Sequence, residues 1–124
     1  MKNNNILILT NNRKDFNLLK SIMSHNYNIY ELENLNDNKY LDLIIVDYYS
    51  YINNKKKINK YIENQAPLLL PVLIVSKNNN ILLEKHDIAN NLFDIINTPI
   101  SKKMILEKTK KLLKLRSYSK QAEK

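Results

Sequence analysis

The chain has 124 residues with no cysteine, no glycine and a net charge of +8, a length that supports one domain with a core of its own. Without cysteine there are no disulfides, thiolate metal sites or thiol nucleophiles, and without glycine neither a P-loop nor a dinucleotide-binding turn can form, because both need backbone amides close to phosphate. The charge is unevenly spread: residues 1–100 hold eleven Lys/Arg against ten Asp/Glu, whereas residues 101–124 hold nine against two.

Met1-Lys2-Asn3-Asn4-Asn5 leads straight into a strand and not into a signal-peptide apolar region. No apolar run reaches the ~18–20 residues that span a bilayer, so a cytoplasmic chain with no membrane partner is expected. Ile6-Leu7-Ile8-Leu9 is an aliphatic run of the kind buried on both faces of a parallel sheet, and it ends in Thr10-Asn11-Asn12. Asn12 suits an N-cap. Phe16, Leu19, Ile22 and Met23 then recur at helical spacing, predicting a helix over 13–25. Tyr27 to Leu32 reads as a second strand, and Glu33 to Leu41 leaves room for two helical turns at most.

Asp42-Leu43-Ile44-Ile45-Val46-Asp47 is the strongest strand signal, an aliphatic run closed by an acid at each end. Asp47 falls at the strand's carboxyl end, where ligands of open α/β sheets bind. An acid there pays in desolvation unless it has partners or water, so it is either a site residue or the solvated end of a strand. Tyr48, Tyr49 and Tyr51 crowd the loop that follows, where they cover the top of the sheet or, as the alternative, form a partner-docking patch.

Asn53-Asn54 caps a helix through Lys55, Ile58, Tyr61 and Ile62, with Lys55-Lys56-Lys57 on its solvated face, and Pro67 stops it. Leu70-Pro71-Val72-Leu73-Ile74-Val75-Ser76 is the fourth strand. Asn78-Asn79-Asn80 precedes a short helix carrying Ile81, Leu82 and Ile88, and Phe93 to Asn97 is the fifth strand, followed by Thr98-Pro99. Ser101 caps a long helix with Ile105, Leu106, Leu112, Leu113 and Leu115. It reads first as a plain amphipathic helix whose lysines keep it soluble; alternatively Ile105 and Leu112, one heptad apart, suit a seam towards a dimer or an output domain. Tyr118 to Lys124 is polar and reads as a tail or the start of a linker, leaving 1–117 as the domain. His25 and His86 have no partner at ligand spacing. The order of elements calls for a parallel sheet with right-handed crossovers.

In that order, three pieces resemble the receiver domain of two-component response regulators. Asp42 to Asp47 is similar to the family's third strand with its terminal phosphoacceptor. Pro71 to Ser76 is similar to the fourth strand, ending in the hydroxyl that senses the phosphoryl group. Asp94-Ile95-Ile96-Asn97-Thr98-Pro99-Ile100-Ser101 is similar to the fifth strand, the Lys-Pro turn and the last helix. The resemblance covers Ile6 to about Leu115. It implies a flavodoxin-like α/β fold, a five-stranded parallel sheet of order 2-1-3-4-5 with helices on both faces, and a cis Thr98-Pro99 bond. It also implies a non-enzymatic signalling module whose contact face spans about 81–115, meeting a kinase, an output domain or a second copy of the chain.

The departures from the family set the expected function. The acidic pair that holds Mg²⁺ in the family is here Thr10 and Asn11, and the lysine before the proline is Thr98. The aromatic switch position is filled by Ile95. Mg²⁺ is a hard cation held by carboxylates, and phosphoryl transfer without it lacks its main charge-neutralising element. A degenerate receiver (a pseudo-receiver) is therefore expected, working through protein contacts with no cofactor and no metal. Asp47 and Ser76 then persist as a vestigial acid and an ordinary strand-end hydroxyl. On this reading Asp47→Asn leaves stability unchanged or raises it by about 1 kcal/mol. A receiver that accepts phosphate at Asp47 by a weakened route is the first alternative. A nucleic-acid-associated regulator using the basic C-terminal helix is the second; nucleic acid is not the expected partner, because no recognition helix or aromatic platform accompanies the charge.

Overall fold

The aliphatic runs lie side by side, as doubly buried strands must. In this computed structural model, which describes residues 4–32, 40–65, 68–77 and 93–122, β1 (Asn5–Leu9), β2 (Asn28–Tyr30), β3 (Leu43–Asp47), β4 (Val72–Ser76) and β5 (Phe93–Asn97) form one sheet of order β2-β1-β3-β4-β5. Every pairing is parallel, with Ile45 opposite both Ile8 and Leu73, and Ile74 opposite Ile95. This is the expected fold class and strand order.

Period-two alternation sorts the side chains into two cores. Ile6, Ile8, Leu43, Ile45, Leu73, Val75 and Ile96 point to one face, where α1 (Arg13–Met23) contributes Phe16, Leu19 and Met23. The helix over Lys102–Ala122, α4, adds Ile105 and Leu112 there. Leu7, Ile44, Val46, Val72 and Ile74 point to the other face, against Tyr51 of α2 (Tyr48–Asn53) and Ile58 and Tyr61 of α3 (Lys55–Gln65). Full burial contributes ~1.5–3 kcal/mol per large aliphatic side chain, so the three central strands dominate the stability of the domain.

The helix starts follow from their caps. Asn12 Oδ1 accepts from the Lys14 and Asp15 amides at 2.8 and 3.3 Å, and the Met104 amide donates to Ser101 Oγ at 3.3 Å. The Asn54 carbonyl accepts from the Ile58 amide, opening α3, while its own amide and side chain donate to Ser50 O and close α2. The Thr98-Pro99 bond is cis.

Several boundaries differ from the sequence reading. The first helix ends at Met23, with Ser24 as its C-cap, short of residue 25. The second strand is confined to Asn28–Tyr30, because only those residues find partners on β1. β4 starts at Val72; Pro71, which has no amide to donate, serves the ladder through its carbonyl, accepting from the Ile44 amide. Tyr48, Tyr49 and Tyr51 belong to a helix and not to a loop. Residues 118–122, expected as a polar tail, continue α4. Ile105 and Leu112 are both buried in the domain's own core, so this heptad pair is not a seam open to a partner. Most of Glu33 to Leu41, Pro67, the segment carrying Ile81, Leu82, His86 and Ile88, and Glu123-Lys124 lie outside the described residues.

Among the described residues the largest fully buried side chain is an arginine. Arg116 of α4 sits at 2% exposure. Its Nε donates to Asp42 Oδ1 at 2.9 Å, its Nη2 to Gln65 Oε1 at 2.8 Å, and its Nη1 to the Leu69 carbonyl. The other Asp42 oxygen accepts from the Asn5 amide at 2.8 Å. One guanidinium therefore ties α4 to the segments entering β3 and β4 and to the end of α3, and through Asp42 to the start of β1. A buried charge needs this degree of pairing.

Candidate functional site

At the carboxyl edge of the sheet, β1, β3, β4 and β5 end around a cavity of about 630 Å³. Asp47, Ser76 and Thr98, the three positions singled out in the sequence, line it together, with Asn11 beside them. The register makes this inevitable: Asp47 pairs with Val75 and Ser76 with Asn97, so the three residues emerge at one level. The Thr98 amide donates to the Ser76 carbonyl at 2.9 Å and carries the β4–β5 alignment past the end of the strand. Thr10, the other expected position, is not part of the lining. Its hydroxyl donates to the Asn12 carbonyl at 3.0 Å and is spent on the β1–α1 turn.

Asp47 has its partners in the backbone. Oδ2 accepts from the Asn11 amide and Oδ1 from the Ser50 amide, both at 2.6 Å. The second bond makes Asp47 the N-cap of α2, with its backbone extended (φ −73°, ψ 158°) as a cap requires. Short bonds to an ionised carboxylate are stronger than neutral ones. The carboxylate thus staples the turn after β1 to the helix after β3.

These residues are a poor set for a hard divalent cation. Mg²⁺ favours an octahedron of oxygen ligands anchored by carboxylates. Here both oxygens of Asp47 already accept amide hydrogens, and the neighbouring positions offer Thr10 and Asn11. Asp15 is the other acid lining the cavity. Among the described residues no group of three acidic or histidine side chains is arranged to hold a metal.

The sequence reading missed Arg13, Asp15 and Lys77, which also line the cavity. Arg13 lies over the Phe16 ring, 4.6 Å from its centroid, and pairs with Glu31 after β2. The position of Arg13 and Asp15 in the turn capped by Asn12 was the available signal. Lys77 directly follows Ser76, and a lone lysine after a strand carries none.

The topology matches that of solved structures. The chain has the fold of a response-regulator receiver domain. NtrX from Brucella abortus, solved in complex with ADP, aligns at a TM-score of 0.77 and 19% identity over 99% of this chain, which spans 29% of the NtrX chain. A response regulator receiver modulated diguanylate cyclase from Pelobacter carbinolicus aligns at 0.71 and 19% identity, covering 96% of this chain and 99% of that one. The signal receiver domain of a putative Luxo repressor protein from Vibrio parahaemolyticus aligns at 0.71 and 17% identity, over 100% and 99% of the two chains. No family model and no curated protein matches the sequence. On the receiver frame, Asp47 stands at the end of the third strand, Ser76 at the end of the fourth and Thr98 after the fifth. Among the described residues, no helix is long and apolar enough to cross a membrane.

Proposed function

We propose that this receiver domain is a degenerate one, a non-enzymatic cytoplasmic signalling module that acts through protein contacts and without Mg²⁺-dependent phosphorylation of Asp47. One observation carries the reading: both oxygens of Asp47 are engaged by the Asn11 and Ser50 amides, while the positions of the metal-binding acids are Thr10 and Asn11. An oxygen that attacks phosphorus gives up charge to the new bond and so weakens its hydrogen bond to the amide, and without a cation nothing offsets the charge that builds up on the transferring group. Thr98 supplies no positive charge in place of a lysine, and the cations in the lining are Arg13, paired with Glu31, and Lys77.

The contact face implied by the resemblance is that of residues 81–115. Its described part is β5 with α4, where Lys108 donates to both Asp94 oxygens at 3.1 and 3.2 Å and fixes the helix against the edge strand. A kinase, an output domain or a second copy of the chain is the partner class.

The deciding experiment is intact mass after incubation with acetyl phosphate and Mg²⁺, with Asp47→Asn alongside. No gain of phosphate is expected in either protein. A gain in the wild type that is absent from Asp47→Asn would replace this reading with that of a phosphorylatable receiver.

A further inference from the structure

The concentration of charge near the C-terminus acquires a shape in the structure. Ile105, Thr109, Leu112 and Arg116 form the buried stripe of α4, and Lys102, Lys103, Lys110, Lys111 and Lys114 are exposed away from it. Lys103, Lys110 and Lys114 recur at intervals of seven and four, so they share one side of the helix. The row runs ~16 Å at 1.5 Å per residue. Glu107 is the single acid along it, and none of the five lysines forms an ion pair among the described residues; Lys108, at the margin, is the one that does, with Asp94.

We propose that this lysine face is a binding surface for the phosphate backbone of duplex nucleic acid, independent of base sequence. Sequence-independent binding needs no recognition helix and no aromatic platform; it needs cations that displace condensed counterions. The missing base-reading elements therefore count against specific recognition alone. An anionic bilayer fits less well, because an interfacial helix binds by inserting its apolar side, and here Ile105 and Leu112 are committed to the core. An acidic protein surface fits less well too. Discrete carboxylates are matched by the fork of arginine, whereas the row is made of lysines, flexible point charges suited to a uniform polyanion. Duplex DNA offers such a polymer, with one charge per ~1.7 Å of axis.

The test uses the full chain and a fluorescent random-sequence duplex of about 20 base pairs, followed by anisotropy at about 50 and 200 mM salt. With Glu107 offsetting one of the five lysines, about four phosphates are neutralised, and Kd weakens on the order of 100-fold between the two salts. Lys103→Gln/Lys110→Gln/Lys111→Gln/Lys114→Gln abolishes most of the binding and flattens the salt dependence. The same four positions as arginine retain both, and Lys56→Gln/Lys57→Gln on α3 leaves both unchanged. Absence of binding at the lower salt, or equal binding by the glutamine variant, would overturn the assignment. So would capture by phosphatidylserine vesicles that depends on the same four lysines where the duplex is not bound.

Discussion

The fate of Asp47 turns on two hydrogen bonds. Read from the sequence, it is an acid whose charge has lost its metal, and Asp47→Asn should be neutral or stabilising. The structure reverses the sign. Asn11 and Ser50 each aim an amide at a different carboxylate oxygen, and asparagine can answer only one, setting its own NH₂ against the other. We expect Asp47→Asn to lower stability by about 1–2 kcal/mol and Asp47→Ala by more, read by urea denaturation. Arg116 is the complementary case. Arg116→Met leaves Asp42 buried without its guanidinium and should lower stability by about 3–5 kcal/mol, whereas Arg116→Met with Asp42→Leu should recover most of that loss. An additive double variant would show that the two residues do not act as a pair. Tyr27, packed against the core beside Met23, has its phenol held above the ordinary value of 10.0 by burial. The folded state keeps this proton longer than the unfolded one, so the contribution of Tyr27 is complete below pH 10 and declines as pH rises beyond it. Tyr27→Phe should flatten that part of the alkaline limb of a stability–pH profile.

Elements were legible where apolar residues followed one period. β1, β3 and the 93–97 strand fall where the aliphatic runs place them, and α1 follows its Asn12 cap. α2 was missed because Tyr-Tyr-Ser-Tyr has weak helical propensity; what starts it is a side chain of the preceding strand, a tertiary role for Asp47 that composition does not carry. α4 is the amphipathic helix that its lysines and apolar residues predict, but its inward stripe was legible only in part. Its inward stripe is Ile105, Thr109, Leu112 and Arg116, and its two polar members made the apolar remainder look like a heptad. Thr109 Oγ is buried without a hydrogen-bond partner among the described residues. Thr109→Val removes that unmet hydroxyl at nearly constant shape and should raise stability by about 1 kcal/mol, or several degrees of Tm. A lower melting point would indicate that the hydroxyl has found a partner.

For the molecule as a whole, two packed faces and a parallel sheet were readable from aliphatic runs interrupted by polar turns, since only that layering hides both sides of such strands. The site edge was readable as well, because strand ends at matching register must converge; the commitment of the Asp47 oxygens was not, because their donors are backbone amides, which every residue type supplies. That commitment has a global readout. A ligand that binds the folded state alone raises stability by RT ln(1 + [L]/Kd). For a millimolar Mg²⁺ site, about 10 mM of the ion would add ~1.4 kcal/mol. We expect the melting curve to be the same with Mg²⁺ as with a chelator, and a reproducible rise would restore the metal to this edge.

The Arg116 contacts have a mechanical side. α4 starts four residues after Thr98, next to the cavity, and is gripped near the opposite edge of the sheet by groups from three separate segments. A helix held at one end by packing alone can roll about its axis; this one is keyed, like a shaft in a slot. Its azimuth is therefore fixed, and residues 117–122 leave the slot in a defined phase. Each residue inserted after Arg116 would advance that phase by about 100° while leaving the domain itself untouched.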